Sequence, residues 1–214
     1  MHGVDTVAHA PPSPAVLRVG NVLRPISEGT AMPHAEALYF TEDDDANRLL
    51  AASPLALLIG LALYQQVPIE KAFMGPRVLE LRMGGTLDAG TIAATDPDKF
   101  EAVFKEKPAI HRFPGSMAKR VLGLCSYVTD EVGGDAEAVW LSADSAVEVV
   151  RNLKKLPGFG DYKATVGFTV LAKRFGVQPD GWKSELANFP TVADIDGPGQ
   201  LSDFKARKKA WKEA

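Results

Sequence analysis

The chain has 214 residues, 46% hydrophobic and 8% aromatic, and carries a formal net charge of −3. That is enough apolar material for one sizeable domain, or for two small lobes sharing a core. A single cysteine, Cys125, excludes a disulfide framework and a thiolate metal cluster, and the mild acidity excludes a general polycation. Of the four histidines, His2, His9 and His34 fall near the N-terminus and only His111 lies in the body of the chain, so no metal-ligand set is visible.

Residues 1 to 36 are expected to be a flexible tail, with Pro11-Pro12-Ser13-Pro14 and no sustained periodicity. The tail lacks the basic and apolar regions of a secretory signal. The longest apolar run, Pro54 to Tyr64, is too short to cross a bilayer. A cytoplasmic protein without a membrane partner is expected.

Ser53-Pro54 predicts an N-cap with proline in the first helical position, opening a helix from Leu55 to about Gln66. That helix is apolar on every side and belongs at the centre of a domain. A second helix is predicted from Ile69 to about Met83, interrupted by Gly75-Pro76 and stopped by Gly84-Gly85. Thr95-Asp96-Pro97-Asp98 predicts a third, with Thr95 as cap and Asp98 in the capping-box position. Pro114 to about Glu131 is the fourth. Ser142 is predicted to cap the fifth, running to Lys155 with Val147, Val150 and Leu153 on one face. Asp161 to Phe175 is the sixth, with Ala164, Phe168, Leu171 and Phe175 as its apolar stripe and Gly176 as its stop. A basic helix over 203–213 closes the chain. No alternating strand pattern stands out. The fold class is all-α.

Charge is unevenly placed. Glu42 to Asp45 is an acidic run, whereas Arg151 to Gly176 holds six basic residues against Asp161 alone, and the last helix adds Lys205, Arg207, Lys208, Lys209 and Lys212. Such clusters suit one electropositive face, and they suit ordinary solvated helices as well.

The most informative stretch joins the fifth and sixth helices through Leu156-Pro157-Gly158-Phe159-Gly160. Pro157 fixes φ entering the turn, and Gly158 and Gly160 permit close backbone approach. The next helix starts at once, so its first N–H groups lack intrahelical acceptors and favour an anion such as a phosphate oxygen. Lys163 sits where it would add charge to that contact.

Leu156 to Ala164, reading Leu-Pro-Gly-x-Gly-x-x-x-Ala, resembles the hairpin of the helix-hairpin-helix DNA glycosylases. Leu63-Tyr64-Gln65-Gln66-Val67 is similar to the early glutamine-bearing helix of that superfamily. His111 to Ser116, with Lys119 and Arg120 beyond, falls where the helix before the hairpin belongs. The resemblance runs from about residue 37 to 182 and implies a glycosylase-like domain over 37–214, with the hairpin unit at 143–176 and two helical lobes flanking a cleft. It implies contacts to double-stranded DNA by Pro157, Gly158, Phe159, Gly160, Lys163, Gln65 and Gln66, and a base pocket containing Tyr162 and Trp182. Asp180, 20 positions after Gly160, falls where the family holds its catalytic aspartate.

The resemblance therefore implies a monofunctional glycosylase of base-excision repair, nucleoid-associated and monomeric. It would hydrolyse the N-glycosidic bond of a flipped, damaged base. Tyr162 stands where bifunctional members carry a lysine, and a tyrosine forms no Schiff base. No iron–sulfur cluster or other cofactor is implied, although the family's hairpin can hold sodium or potassium. Two alternatives stay open. Pro179-Asp180-Gly181 has the composition of a simple turn, which would leave a catalytically silent DNA-binding or damage-sensing protein. The second is a purely structural hairpin in an α-helical interaction protein.

Overall fold

A computed structural model describes residues 16–19, 22–25 and 35–213. The chain divides into two units, residues 1–31 and residues 32–214. In the first, β1 (Val16–Val19) and β2 (Val22–Pro25) pair antiparallel, with Val16 opposite Pro25 and Val19 opposite Val22. Most of the expected tail lies outside the described residues, and this short hairpin is the described exception to an otherwise all-α chain. Its sequence signal was the Gly20-Asn21 pair between two β-branched runs, Val-Leu-Arg-Val and Val-Leu-Arg-Pro.

In the second unit every described regular element is helical. The elements are α1 (Asp44–Ala52), α2 (Pro54–Leu63), α3 (Ile69–Arg82), α4 (Ala89–Ala93), α5 (Pro97–Lys105), α6 (Pro114–Glu131), α7 (Ala138–Leu141), α8 (Ala146–Lys155), α9 (Asp161–Arg174) and α10 (Leu201–Glu213). Short 3-10 turns at Trp182–Glu185 and Val192–Asp194 lie between the last two. No single helix among the described residues is long and apolar enough to cross a membrane.

The centre is α2, as its sequence demands: Leu55 through Leu63 are all buried, and α1, α3, α6 and α9 pack around them. Ser53 caps it through its hydroxyl, which accepts the Ala56 N–H at 3.2 Å. The acidic run ahead of it is a helix start. Asp43 accepts the Ala46 N–H at 2.7 Å, and Asp44 and Asp45 occupy the positive end of α1.

Three local expectations are corrected. Pro76 lies inside a continuous α3, and Gly75 lets that helix press on α2: a Cβ at Gly75 would stand 2.4 Å from Leu63 Cδ1. The cap of α5 is Asp96, whose carboxylate accepts the Asp98 and Lys99 N–H groups, and the Thr95 hydroxyl turns back to the Thr91 carbonyl. The cap of α8 is Ser145, and Ser142 donates to Ala138 in the preceding short helix. The inner face of α8 is Ala146, Val149 and Leu153, which leaves Val147 exposed and Val150 at the margin. In α9, Ala164, Phe168 and Leu171 are buried as expected, and Phe175 packs at the edge.

Candidate nucleic-acid interface

Alternation within five residues builds the hairpin between α8 and α9. Leu156 and Phe159 point into the core, while Gly158 and Gly160 are exposed. Phe159 is thus an anchor of the turn, correcting its expected place among DNA contacts: its side chain is buried and its N–H closes the turn on the Leu156 carbonyl at 3.0 Å. Pro157 rests on α6, 3.5 Å from where a Gly123 Cβ would stand. Gly158 has φ of +86°, and the stem of Arg120 lies where its Cβ would be, 2.1 Å from Cδ. Gly160 is the N-cap of α9, extended and without a capping side chain, so the first N–H groups of α9 face outward unclaimed by an intrahelical partner.

Across from the hairpin, the chain leaving α2 turns through Gln65 and Gln66. Gln66 has φ of +55°, the only non-glycine among the described residues on the left-handed side; such a conformation is strained and persists only where its surroundings fix it. They do so here. Buried His111 accepts the Phe113 N–H on Nδ1 at 3.1 Å, which leaves Nε2 to donate to the Gln65 carbonyl at 3.0 Å. Burial holds the His111 pKa below its ordinary value. The Gln65 side-chain oxygen accepts from Arg120 Nη1 at 2.6 Å and from Lys163 Nζ at 3.4 Å. With its oxygen so engaged, the amide NH2 of Gln65 is the group left to donate elsewhere.

Lys163 differs from expectation. It is 8% exposed, and its ammonium donates to the Ala62 carbonyl at 2.5 Å, closing the C-terminal end of α2. Burial, with the nearby Arg120 charge, brings its pKa down to about 8. It forms the floor of the site and joins α9 to α2.

Between these walls lies a cleft of about 860 Å³. Tyr64 to Ile69 form one side and Gly158, Gly160, Tyr162 and Lys163 another. The third is α10, through Lys205, Lys208, Lys209 and Lys212, which recur at helical spacing on one face. No aspartate or glutamate lines it. Lys208 donates to the Tyr64 hydroxyl at 2.7 Å and approaches the Tyr162 hydroxyl at 3.4 Å, so it bridges two walls. Burial, and next the Glu70 charge, push the Tyr64 hydroxyl up to about 12, and it stays protonated. Lys205 pairs with Glu70.

The expected site residues therefore separate into two groups. Gln65, Gln66, Gly158, Gly160, Tyr162 and Lys163 are brought together. Asp180 and Trp182, expected as catalytic aspartate and base-pocket wall, are not among the residues that line the cleft. Asp180 is exposed in a turn closed by Trp182 N–H to Pro179 carbonyl at 3.0 Å, with Gly181 at φ +76°. Its own carbonyl accepts the Ala146 N–H at the first turn of α8, whereas the hairpin follows the last turn. One helix length, about 15 Å, separates them. Trp182 is half-buried beside it under the Lys183 ammonium. What sequence reasoning missed is the wall contributed by α10: the lysines were visible, but their position against the hairpin follows from Leu201 and Phe204 docking in the core. Neither a family model nor a curated protein matches this chain.

Proposed function

We propose that this protein binds double-stranded DNA through the hairpin cleft, as a helix-hairpin-helix DNA-binding protein of glycosylase type that senses damage without the Asp180 chemistry. The observation that carries this is the coincidence, in one cleft with no carboxylate in its lining, of exposed hairpin amides and four lysines of α10, of which Lys205 alone is paired with Glu70. Amides at a helix start and lysine ammoniums are both donors for phosphate oxygens. Gln65 and Gln66 stand beside them as donors for base edges or for the gap left by a displaced base. No metal step is needed. The Gly160 carbonyl accepts the Ala164 N–H and the Leu156 carbonyl the Phe159 N–H, each keeping a second lone pair of the kind a sodium or potassium ion would use. A monomer suffices for this contact.

Gly160→Asp provides the test. An aspartate at this extended N-cap satisfies the α9 amides, and a Cβ there meets nothing within 4 Å. The variant should melt at or above the wild-type temperature while its affinity for a labelled duplex falls at least tenfold, because a carboxylate then occupies the phosphate position. Unchanged affinity in Gly160→Asp, or no salt-sensitive duplex binding by the wild type, overturns the proposal.

One observation favours a second reading, monofunctional glycosylase activity: the cleft volume is ample for an extruded nucleoside. A panel of lesion-bearing duplexes followed by alkali separates the two. The binder yields no abasic product on any lesion. Product that vanishes in Asp180→Asn restores the enzyme and its aspartate, and product that persists places the chemistry in the cleft.

A further inference from the structure

An aromatic ladder leads out of the cleft along the inner edge of α10. Tyr162 lies nearly parallel to Phe189, with centroids 5.3 Å apart and planes at 11°, and Phe189 meets Trp211 at 6.0 Å and 40°. The two end rings are half in solvent, Tyr162 at 49% and Trp211 at 52%. Trp140 is buried and Trp182 partly buried, which makes Trp211 the exposed tryptophan of the three. It continues the inner stripe of α10 begun by Leu201, Phe204 and Lys208. Lys208 and Lys212 flank it on the helix, and both also line the cleft.

Half a tryptophan and half a tyrosine are left open here, beside lysines that also line the hairpin cleft. We propose that Tyr162, Phe189 and Trp211 with Lys208 and Lys212 form a single-strand subsite, which stacks the unpaired bases of a gapped or unwound DNA whose duplex part is held at the hairpin. The inference rests on the DNA-binding function proposed above. Unpaired bases are the fitting ligand because stacking on a ring requires a free base face, and in a duplex both faces are covered by neighbouring pairs. The lysines follow the backbone of the strand while the rings take its bases, and the combination is tolerant of sequence.

The test compares an intact labelled duplex with the same duplex carrying a short dT gap, by anisotropy at one salt concentration. Wild type should favour the gapped DNA by roughly tenfold, the scale of one base stacked on an aromatic ring. Trp211→Ala should abolish that preference and leave affinity for the intact duplex unchanged, and Trp211→Phe should keep most of it. Gly160→Asp should weaken binding of both DNAs, which marks the hairpin contact apart from the ladder. Equal affinity of wild type for the two DNAs, or a preference that survives in Trp211→Ala, overturns the subsite while leaving duplex binding standing. Binding to neither DNA overturns both.

Discussion

His111 is the residue on which the geometry of the Gln65–Gln66 turn depends. Its two ring nitrogens have opposite duties, accepting from the Phe113 N–H and donating to the Gln65 carbonyl, and only the neutral imidazole performs both. Protonation would turn the Phe113 contact into donor facing donor and place a charge in a buried site near Lys163 and Lys71. The folded-state pKa is depressed, so the unfolded chain binds the proton at higher pH. The contribution is fully present above about pH 6.5 and is lost as pH falls through the lower folded value. Thermal melts from pH 7.5 down to 5 should show a falling melting temperature in the wild type. Proton NMR should find the His111 ring titrating below the ordinary histidine range; a titration at or above that range refutes the assignment. Gln66, strained and one residue beyond the pinned carbonyl, should lose its position in the same transition.

At the scale of elements, caps and glycines decided what the sequence revealed. Ser53-Pro54, Pro114 and the stops at Gly84-Gly85 and Gly176 were legible because each signal is local: a hydroxyl for an orphan N–H, a ring for a fixed φ, a missing Cβ for a left-handed turn. Ser142 against Ser145 was not decidable locally, since either hydroxyl can cap. Tertiary structure chooses Ser145, because the Asp180 carbonyl takes the Ala146 N–H and fixes where α8 begins. The same contact ties Asp180 to the start of α8, whereas the hairpin follows the end of that helix. Gly75-Pro76 reads locally as a breaker, yet α3 runs through it, and the contact that Gly75 makes with Leu63 is visible only in the packed fold. The cap assignment has a measurable consequence. Ser145→Ala should cost about 1 kcal/mol in denaturant unfolding, the usual loss of a hydroxyl N-cap, and Ser142→Ala should cost clearly less. The reverse order would return the start of α8 to Ser142.

For the molecule as a whole, net charge and local charge point in opposite directions. The chain is acidic at −3, yet the cleft gathers Lys205, Lys208, Lys209 and Lys212 without a lining carboxylate. A ligand that felt only net charge would be repelled, whereas one seated in the cleft replaces condensed counterions on DNA with these ammoniums. If all four lysines meet phosphates, the logarithm of affinity should fall with the logarithm of salt at a slope of about −3.6. The double variant Lys209→Gln and Lys212→Gln should flatten the slope by about 2, since each lost phosphate contact removes about 0.9. Lys99→Gln, exposed on α5 and outside the cleft lining, should leave it unchanged. Equal flattening by all these substitutions would mean that the protein attracts DNA by diffuse charge, and that the cleft is not where the backbone lies. A flattening confined to the α10 pair would locate the phosphates between the hairpin and α10, where Lys208 already spans the walls.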